Sequence, residues 1–333
     1  MRNITFTNPP VEHELPASGV SGGRGGPFVR RLNQREHRAR VIDRVAYYGV
    51  VIGGCVLLIN LTIQNGFDAV GFGLFIVMYV TLTLGMTVGS HRYFSHRSFE
   101  ASRGAKIAIV IMACMGMGCV LDWAAVHRRH HQFSDRDGDA HSPHKYHGRG
   151  FMTALRNFAH AHWGWLFSAD DTIHERYVPD WYADETVMKY NGLMRYWVLL
   201  AFVAPALAGF ILSGSGYGLL MGFLWGGCLT AFCLHNITYC INSVCHLIGR
   251  RAYRVRDHSR NNRFVALFGF GEGWHNNHHA FPSSARFGID AFQLDPGYYF
   301  IVLLERLGLA RKVNHGPDED ARRSRRIKNS PEI

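Results

Sequence analysis

The sequence predicts an all-α membrane protein in which four transmembrane helices form two hairpins and support a cytosolic cap of helices. Three observations predict this fold class. Long apolar runs alternate with strongly polar stretches, and four of the runs approach the roughly 20 residues that a helix needs to cross a bilayer. The chain also contains 20 histidines among its 333 residues, and many of them cluster just beyond the apolar runs. A membrane-embedded stem with a polar cap accommodates all three.

Each predicted hairpin consists of two apolar segments joined by a short turn. The predicted transmembrane helices cover residues 41–63, 69–88, 196–212 and 217–240. Neither turn contains Lys or Arg, whereas arginines flank the outer ends of the hairpins, namely Arg38, Arg40, Arg44, Arg250, Arg251, Arg254 and Arg256. The positive-inside rule therefore places both termini and the histidine-rich middle in the cytoplasm. We expect a multi-pass protein, with the bacterial plasma membrane as the favoured location.

The hairpins divide the chain into three parts. Residues 1–40 predict a flexible basic cytosolic arm, residues 41–310 the membrane domain, and residues 311–333 a mobile, polar, basic tail. Residues 105–126 are apolar enough to span the bilayer but lie between two histidine clusters. We interpret them as an interfacial helix, because a single crossing would separate those clusters. Residues 297–309 predict an amphipathic surface helix.

The net charge of +11 indicates an anionic partner, such as a phospholipid surface or a phosphate-bearing substrate. No recognised nucleic-acid motif accompanies the charge, so we expect no nucleic-acid partner. The seven cysteines form no CxxC pair, and several lie inside apolar runs. They are typical of small buried side chains rather than of disulfides or zinc ligands.

Three histidine clusters carry the chemistry of the sequence. Two follow the pattern HxxHH, in which positions i, i+3 and i+4 project from one face of a helix. The first cluster has the wider spacing HxxxxH, and we expect the helix to end near His91, so that the following turn brings His96 back. A fourth element pairs Asn242 with His246. The full set of histidines is His91, His96, His127, His130, His131, His246, His275, His278 and His279.

Neutral imidazole binds Fe, Zn, Cu and Ni, so the histidines alone do not identify the metal. Nine imidazoles are too many for one ion and suit two, which predicts a histidine-rich dimetal site in the cap. The alternative is a set of solvated surface histidines or a chelating patch. The ligand spacing of three separate clusters, each next to an apolar segment, argues against that alternative.

These motifs resemble the integral-membrane fatty acid desaturases, in particular the stearoyl-CoA (acyl-CoA) Δ9-desaturase-like branch. The resemblance covers residues 45–300 and includes Gly89–Phe99, Gly271–Pro282 and Trp163–Leu166 around the histidines. It implies two iron ions with oxygen as co-substrate, the nine histidines as ligands, and Asn242 as a ligand through a water molecule. How the nine ligands divide between the two irons stays open. The expected activity is desaturation of a long-chain fatty acyl substrate, with Δ9-type regiochemistry favoured.

The reaction explains the need for such a site. A mid-chain methylene has no acidic proton and no leaving group, so acid–base or nucleophilic side chains cannot start the reaction. Two electrons must also come from outside, because the chain carries no flavin, dinucleotide or iron–sulfur fingerprint. The expected donor is a separate protein such as ferredoxin, rubredoxin or cytochrome b5. Cationic residues that could dock it, or meet lipid headgroups, are Arg128, Arg129, Arg250 and Arg251.

The substrate-binding residues are predicted on a weaker basis. Trp123 and Tyr239 lie where the family lines its acyl tunnel with aromatic side chains. Acidic residues near the histidines could orient imidazoles, although Asp137 and Asp139 are more typical of solvated turns. Animal acyl-CoA desaturases carry a charged pair where this chain has Ala125 and Val126. The head group, whether CoA, acyl carrier protein or glycerolipid, therefore stays open.

Two other functions remain compatible with the sequence. A lipid hydroxylase on the same scaffold would use the same histidine spacing. A membrane metal transporter or metal-binding protein would place ligands within its membrane spans, whereas here the clusters lie beyond the apolar runs.

Overall fold

The computed structural model of the chain describes residues 20–21 and 26–327, and these residues are mainly helical. The N-terminal half contains the helices α1 Gln34–Asn65, α2 Ala69–Leu84, α3 Arg103–Met117, α4 Val120–Phe133 and α5 Phe151–His162. The middle contains α6 His174–Tyr177, α7 Pro179–Tyr182, α8 Glu185–Gly192, α9 Met194–Ser213, α10 Gly216–Gly222 and α11 Thr230–Ser243. The C-terminal part contains α12 Arg263–Phe268, α13 His275–Ala280, α14 Pro296–Arg306 and α15 Glu319–Arg325.

Short strands and irregular helices complete the fold. The strands are β1 Val20–Ser21, β2 Val29–Arg31, β3 Glu100–Ala101, β4 Asp170–Thr172 and β5 Ala310–Arg311, which pair antiparallel in the orders β1-β2-β4 and β3-β5. Two π-helices cover Gly85–Ser95 and Phe223–Leu229, and two 3₁₀ helices cover Gly164–Phe167 and Val244–His246.

Within the described residues, four continuous helical stretches are long and apolar enough to cross a membrane. They cover Gln34–Asn65, Ala69–Ser95, Met194–Ser213 and Gly216–His246, which confirms the four predicted spans and suggests a membrane association. The first span begins at Gln34 rather than at residue 41. A capping box explains this start, because the Asn33 side chain accepts from the Glu36 N–H at 2.9 Å while the Glu36 carboxylate accepts from the Asn33 N–H at 3.0 Å.

Close backbone contact joins the third and fourth spans. Pro205 lies inside α9, which continues past it to Ser213. A Cβ atom on Gly226 would lie 2.3 Å from the Pro205 Cβ, and one on Gly222 would lie 2.1 Å from the Pro205 carbonyl oxygen. Only glycine allows this approach, so the two glycines fix how closely the last two spans pack.

The segment predicted as one interfacial helix is instead two helices. α3 and α4 meet at an angle of 78°, at a break that contains Gly118 with φ of 78°. An L-residue rarely adopts this backbone conformation, whereas glycine does so at little cost. The sharp bend turns the second histidine cluster on α4 away from the apolar axis of α3.

The predicted arm and tail are partly ordered. Residues 1–19, 22–25 and 328–333 lie outside the described residues, so this part of the prediction is not tested. The described end of the arm is held by Arg30, which contacts Asp171 at 3.1 Å, and by Arg40, which pairs with the same carboxylate. In the tail, Arg326 contacts Asp290 at 2.8 Å. The described ends of the arm and of the tail therefore contact the rest of the protein, and the division at residues 40 and 311 stays a prediction.

Candidate metal centre

The π-helix Gly85–Ser95 positions the first two histidines. On an α-helix, residues five apart point about 140° away from each other. In a π-helix the i→i+5 hydrogen bond brings such residues onto the same side, and the His96 N–H donates to the His91 carbonyl at 3.3 Å. The two ring centroids lie 5.1 Å apart. The prediction that the helix ends near His91 is therefore wrong, because a wider helix solves the spacing without a turn.

The nine histidines converge into two neighbouring clusters. We call the first the five-histidine cluster, formed by His91, His96, His127, His131 and His278. The Nε2 atom of His278 lies 3.0 Å from that of His91 and 2.8 Å from that of His131. The Nε2 atoms of His96 and His127 are 2.9 Å apart. All candidate ligand atoms of this cluster lie within 4.8 Å of one another.

The second group, the four-histidine cluster, is formed by His130, His246, His275 and His279. The Nε2 atoms of His246 and His275 are 3.0 Å apart. On both α4 and α13, positions i and i+4 face one cluster, whereas position i+3 faces the other. His130 and His131, although adjacent in the chain, therefore belong to different clusters, as do His278 and His279.

Carboxylates fix the orientation of four of these rings. The Nδ1 atom of His130 contacts Asp139 at 3.0 Å, that of His246 contacts Asp135 at 2.8 Å, and that of His279 contacts Asp257 at 2.8 Å. Glu272 holds the Nδ1 atom of His91 in the same way. A carboxylate that accepts the Nδ1 proton leaves the Nε2 lone pair free for a metal and makes the imidazole a stronger donor.

The donor set fits two metal ions. Nitrogen atoms around an ion at about 2.1 Å lie about 3 Å apart when they subtend a right angle, which is the spacing of the facing Nε2 atoms. The Nε2 atom of His279 is buried with no hydrogen-bond partner in the described chain, as a metal ligand would be. Burial and neighbouring imidazoles keep the pKa values of His275 and His278 well below the ordinary value, so both rings are neutral.

A buried arginine network supports the five-histidine cluster. Arg92 is fully buried, as are Glu272 and Asp295. Its guanidinium group donates to Glu272 at 3.0 Å and to Asp295 at 2.8 Å, and it lies 3.7 Å from the ring centre of Phe287. Glu272 thereby bridges Arg92 to His91, so the position of one candidate ligand depends on this ion network.

A cavity of about 440 Å³ among the apolar helices reaches the five-histidine cluster. His91 and His127 line it beside Trp123, which stacks on His127 at a centroid distance of 5.0 Å. Tyr239 and Asn242 also line it. Further lining residues are mostly apolar or aromatic, among them Tyr47, Met115, Met117, Val198 and Ile241. A mainly apolar cavity next to these imidazoles can hold a flexible hydrocarbon chain.

Several residues play other parts than those predicted. Asp139, predicted as a solvated turn residue, is buried against His130, whereas Asp137 is exposed. Arg128 donates to Asp180 at 2.7 Å, and Arg129 is buried and donates to the Gly138 carbonyl. Both guanidinium groups are therefore used within the protein, and the buried Arg129 cannot form part of the predicted docking surface. Arg251, another cation of that predicted set, donates to the backbone carbonyls of Val255 and Asp257.

Asp257 was not singled out from the sequence. It lies in a loop 22 residues before His279, and no motif spacing connects the two. The only available signal was its place among arginines just after the last span. His141, which the sequence did not favour as a ligand, lies with Asp139 and His130 in a third possible group. Asp139 already accepts from His130 there, so this group offers few free donors.

Comparisons with known proteins agree with this geometry. The family described as fatty acid desaturase matches residues 68–297. The hex-5-enoyl-(acyl-carrier protein) acetylenase of Moorena producens (strain JHB) is 41% identical over 262 residues, which are 78% of this chain and 82% of that protein. The chloroplastic palmitoyl-monogalactosyldiacylglycerol delta-7 desaturase of Arabidopsis thaliana is 34% identical, over 84% of this chain and 70% of that protein. The sn-1 stearoyl-lipid 9-desaturase of Anabaena variabilis is 32% identical, over 82% and 93% respectively. The chain therefore belongs to the fatty acid desaturase family, in its Δ9-like branch, and is an oxidoreductase.

Proposed function

We propose that this protein introduces a double bond into a long-chain fatty acyl substrate, with Δ9-type regiochemistry, in a reaction that uses oxygen and two iron ions. The observation that carries the proposal is the pair of neighbouring imidazole clusters, of which the five-histidine cluster lies at the wall of a mainly apolar cavity. The balanced reaction converts –CH₂–CH₂–, O₂, two electrons and two protons into –CH=CH– and two water molecules. The irons, when bound, supply oxygen reduction and hydrogen removal from an unactivated C–H bond.

The five-histidine cluster would hold one iron and the four-histidine cluster the other. Asn242, which lines the cavity one helical turn before His246, would reach the second iron through a water molecule. Trp123 and Tyr239 would orient the acyl chain in the cavity. Glu272 and the three aspartates would keep the Nδ1 protons in place, so that each ring presents the same nitrogen throughout the reaction.

The membrane arrangement follows from the charge pattern. The four spans would form two hairpins, with both termini and the clusters on the cytoplasmic side, because the turns at residues 66–68 and 214–215 lack Lys and Arg. The remaining helices would form the cytosolic cap. The bacterial plasma membrane remains our favoured location.

The head group of the substrate is open among three classes. The names of two relatives refer to an acyl carrier protein and to a galactolipid, which supports these two classes over CoA. Ala125 and Val126 fit the same preference, because animal acyl-CoA desaturases have charged residues there. The two electrons would come from a separate carrier, such as ferredoxin, rubredoxin or cytochrome b5.

Expression in a desaturase-deficient host tests the proposed function. We expect a new monounsaturated fatty acid in the lipids of the host, and none with the empty vector or with a His275→Ala variant. A hydroxy acid would instead identify a lipid hydroxylase, and metal uptake with unchanged lipids would identify a transporter. Because one relative is an acetylenase, the host should also be fed an alkenoic acid, since an alkyne product would identify that second activity.

The Asp257→Asn variant tests the role of the carboxylates. Asp257 accepts from the Nδ1 atom of His279 at 2.8 Å, and loss of such a partner weakens metal binding by about 10- to 100-fold. We expect one of the two metal equivalents to be lost first on dialysis against a chelator, measured by elemental analysis. The matched control is Asp137→Asn, since Asp137 is exposed. Equal metal retention in both variants would remove Asp257 from this role.

A further inference from the structure

The exposed loop of residues 254–258 lies directly over the four-histidine cluster. Asp257 in this loop contacts the Nδ1 atom of His279 at 2.8 Å. The backbone N–H of the next residue, His258, donates to Asp135 at 2.8 Å, and the same carboxylate oxygen contacts the Nδ1 atom of His246 at 2.8 Å. Two short hydrogen-bonded routes therefore connect one patch of surface to two imidazoles of the four-histidine cluster.

The loop is cationic as well as close to the cluster. Arg254 and Arg256 are exposed, and neither guanidinium group makes a hydrogen bond or ion pair within the part of the chain that the structure describes. The end of α15 lies beside them, because the Arg254 N–H donates to the Arg325 carbonyl at 2.8 Å. In this last turn, Arg323 pairs with Glu319 and the Arg325 guanidinium group donates to the Ala280 carbonyl, so both are used within the protein. Asp257, the carboxylate nearest in the chain, is buried and already paired with His279.

We propose that Arg254, Arg256 and the exposed His258, together called the docking face, bind a small acidic electron-transfer protein that would pass electrons to the iron held by the four-histidine cluster. The inference rests on the proposed function, which requires two electrons from outside. Each reduced carrier molecule would lose one electron per encounter, and two encounters would supply both. Cationic side chains that have no partner of their own attract an acidic protein and orient it, and the two hydrogen-bonded routes keep the transfer short.

The composition of the docking face favours a protein over a lipid surface. A membrane-binding segment presents exposed apolar side chains between its cations. The only apolar residue in the loop is Val255, and it is half-buried. Exposed apolar residues lie instead at either side of the loop, at Ile248 and at Phe264 and Leu267 on α12. Those residues suit a lipid surface, and the loop between them suits a polar, acidic partner.

Charge reversal tests the docking face. The variant R254E/R256E would be compared with the wild type and with R103E/R311E, a control that reverses two exposed arginines near the strand pair β3 and β5. The probe is a fluorescently labelled acidic [2Fe–2S] ferredoxin, titrated against full-length protein in nanodiscs of neutral lipid. We expect the dissociation constant of R254E/R256E to rise at least about tenfold at low salt. The difference should shrink as salt screens the charges, and the control should bind like the wild type.

A second measurement separates docking from damage to the site. Product formed with dithionite and methyl viologen, which need no docking surface, should be the same in all three proteins, while the KM for ferredoxin should rise in R254E/R256E alone. Unchanged ferredoxin binding in R254E/R256E would overturn the docking face, whether or not any product forms. An effect seen only in anionic nanodiscs would assign the arginines to lipid headgroups and also overturn it. Absence of product from the wild type with every reductant would count against the proposed function. It would leave the docking face untouched, because the binding comparison does not depend on turnover.

Discussion

The His278→Ala variant should form no detectable unsaturated product, with a loss of activity of at least about a hundredfold. The His278 Nε2 atom lies 3.0 Å from that of His91 and 2.8 Å from that of His131, so its loss opens the centre of the five-histidine cluster. Removal of a residue that only orients a ligand already costs about 10- to 100-fold, and removal of a ligand itself should cost more. The measurement is fatty acid analysis of the desaturase-deficient host, with the membrane-inserted protein quantified in parallel.

Metal content makes this prediction specific to one cluster. We expect purified His278→Ala to hold one metal equivalent where the wild type holds two. His275→Ala should also hold one, because His275 belongs to the four-histidine cluster. The control is His147→Ala, since His147 is exposed and belongs to neither cluster. Retained turnover in His278→Ala would exclude it as a ligand, and a complete loss in His147→Ala would show that the proposed ligand set is incomplete.

The sequence predicted which histidines converge but not how they divide. Spacings of three and four place imidazoles on one side of a helix, and this was sufficient to group the HxxHH motifs. The division into five and four depends on the rotation of α4 and α13 relative to each other, which is set by tertiary packing. Viewed along the helix axis, the i+4 ring lies about 40° to one side of the i ring, and the i+3 ring lies to the other side. The assignment of these rings to different clusters therefore becomes apparent only once both helices are placed.

Sequence patterns could predict neither the π-helix Gly85–Ser95 nor the carboxylates that contact the histidines, for different reasons. A π-helix differs from an α-helix by a small widening that no single residue type specifies, so the spacing of His91 and His96 was predicted to need a turn. Asp257 approaches His279 only because a loop folds back over α13. Asp139 follows Gly138, whose φ is 102°, and such a turn is usually solvated. Here the turn folds the carboxylate inward against His130.

The sequence also could not show which arginines are used inside the protein and which are exposed. Arg128 and Arg129 lie between candidate ligands in the chain, and their charge indicated a surface role. In the structure, however, both guanidinium groups are used internally, on Asp180 and on the Gly138 carbonyl. Among the residues that the structure describes, Arg254 and Arg256 have no such acceptors, and both are exposed. Net charge therefore indicates only that some cations are available to an anionic partner, whereas packing distinguishes the structural cations from the available ones.

The Arg92→Met variant should lose about 3–5 kcal/mol of stability, because it leaves two buried carboxylates without their counter-charge. Arg92, Glu272 and Asp295 are all at most 1% exposed. Methionine fills similar volume but donates no hydrogen bond, and Asp295 also caps α14 by accepting from the Tyr298 N–H at 3.0 Å. The loss should appear as a lower thermal unfolding temperature of the detergent-solubilised protein.

The matched control is Arg97→Met, in the same histidine motif. Arg97 contacts Asp180 at 3.2 Å, but its side chain is 57% exposed, so we expect a loss of at most about 1 kcal/mol. Arg92→Lys should recover only part of the stability, because one ammonium group cannot donate in fixed directions to both carboxylates as the guanidinium does. Adding Glu272→Gln to Arg92→Met should restore stability, because it removes one unpaired charge. The double variant should still bind less metal than the wild type, because His91 loses its carboxylate partner. If Arg92→Met unfolds at the same temperature as Arg97→Met, the buried ion network does not hold α13 and α14 against the second span. In that case the position of His91 would depend on the π-helix alone.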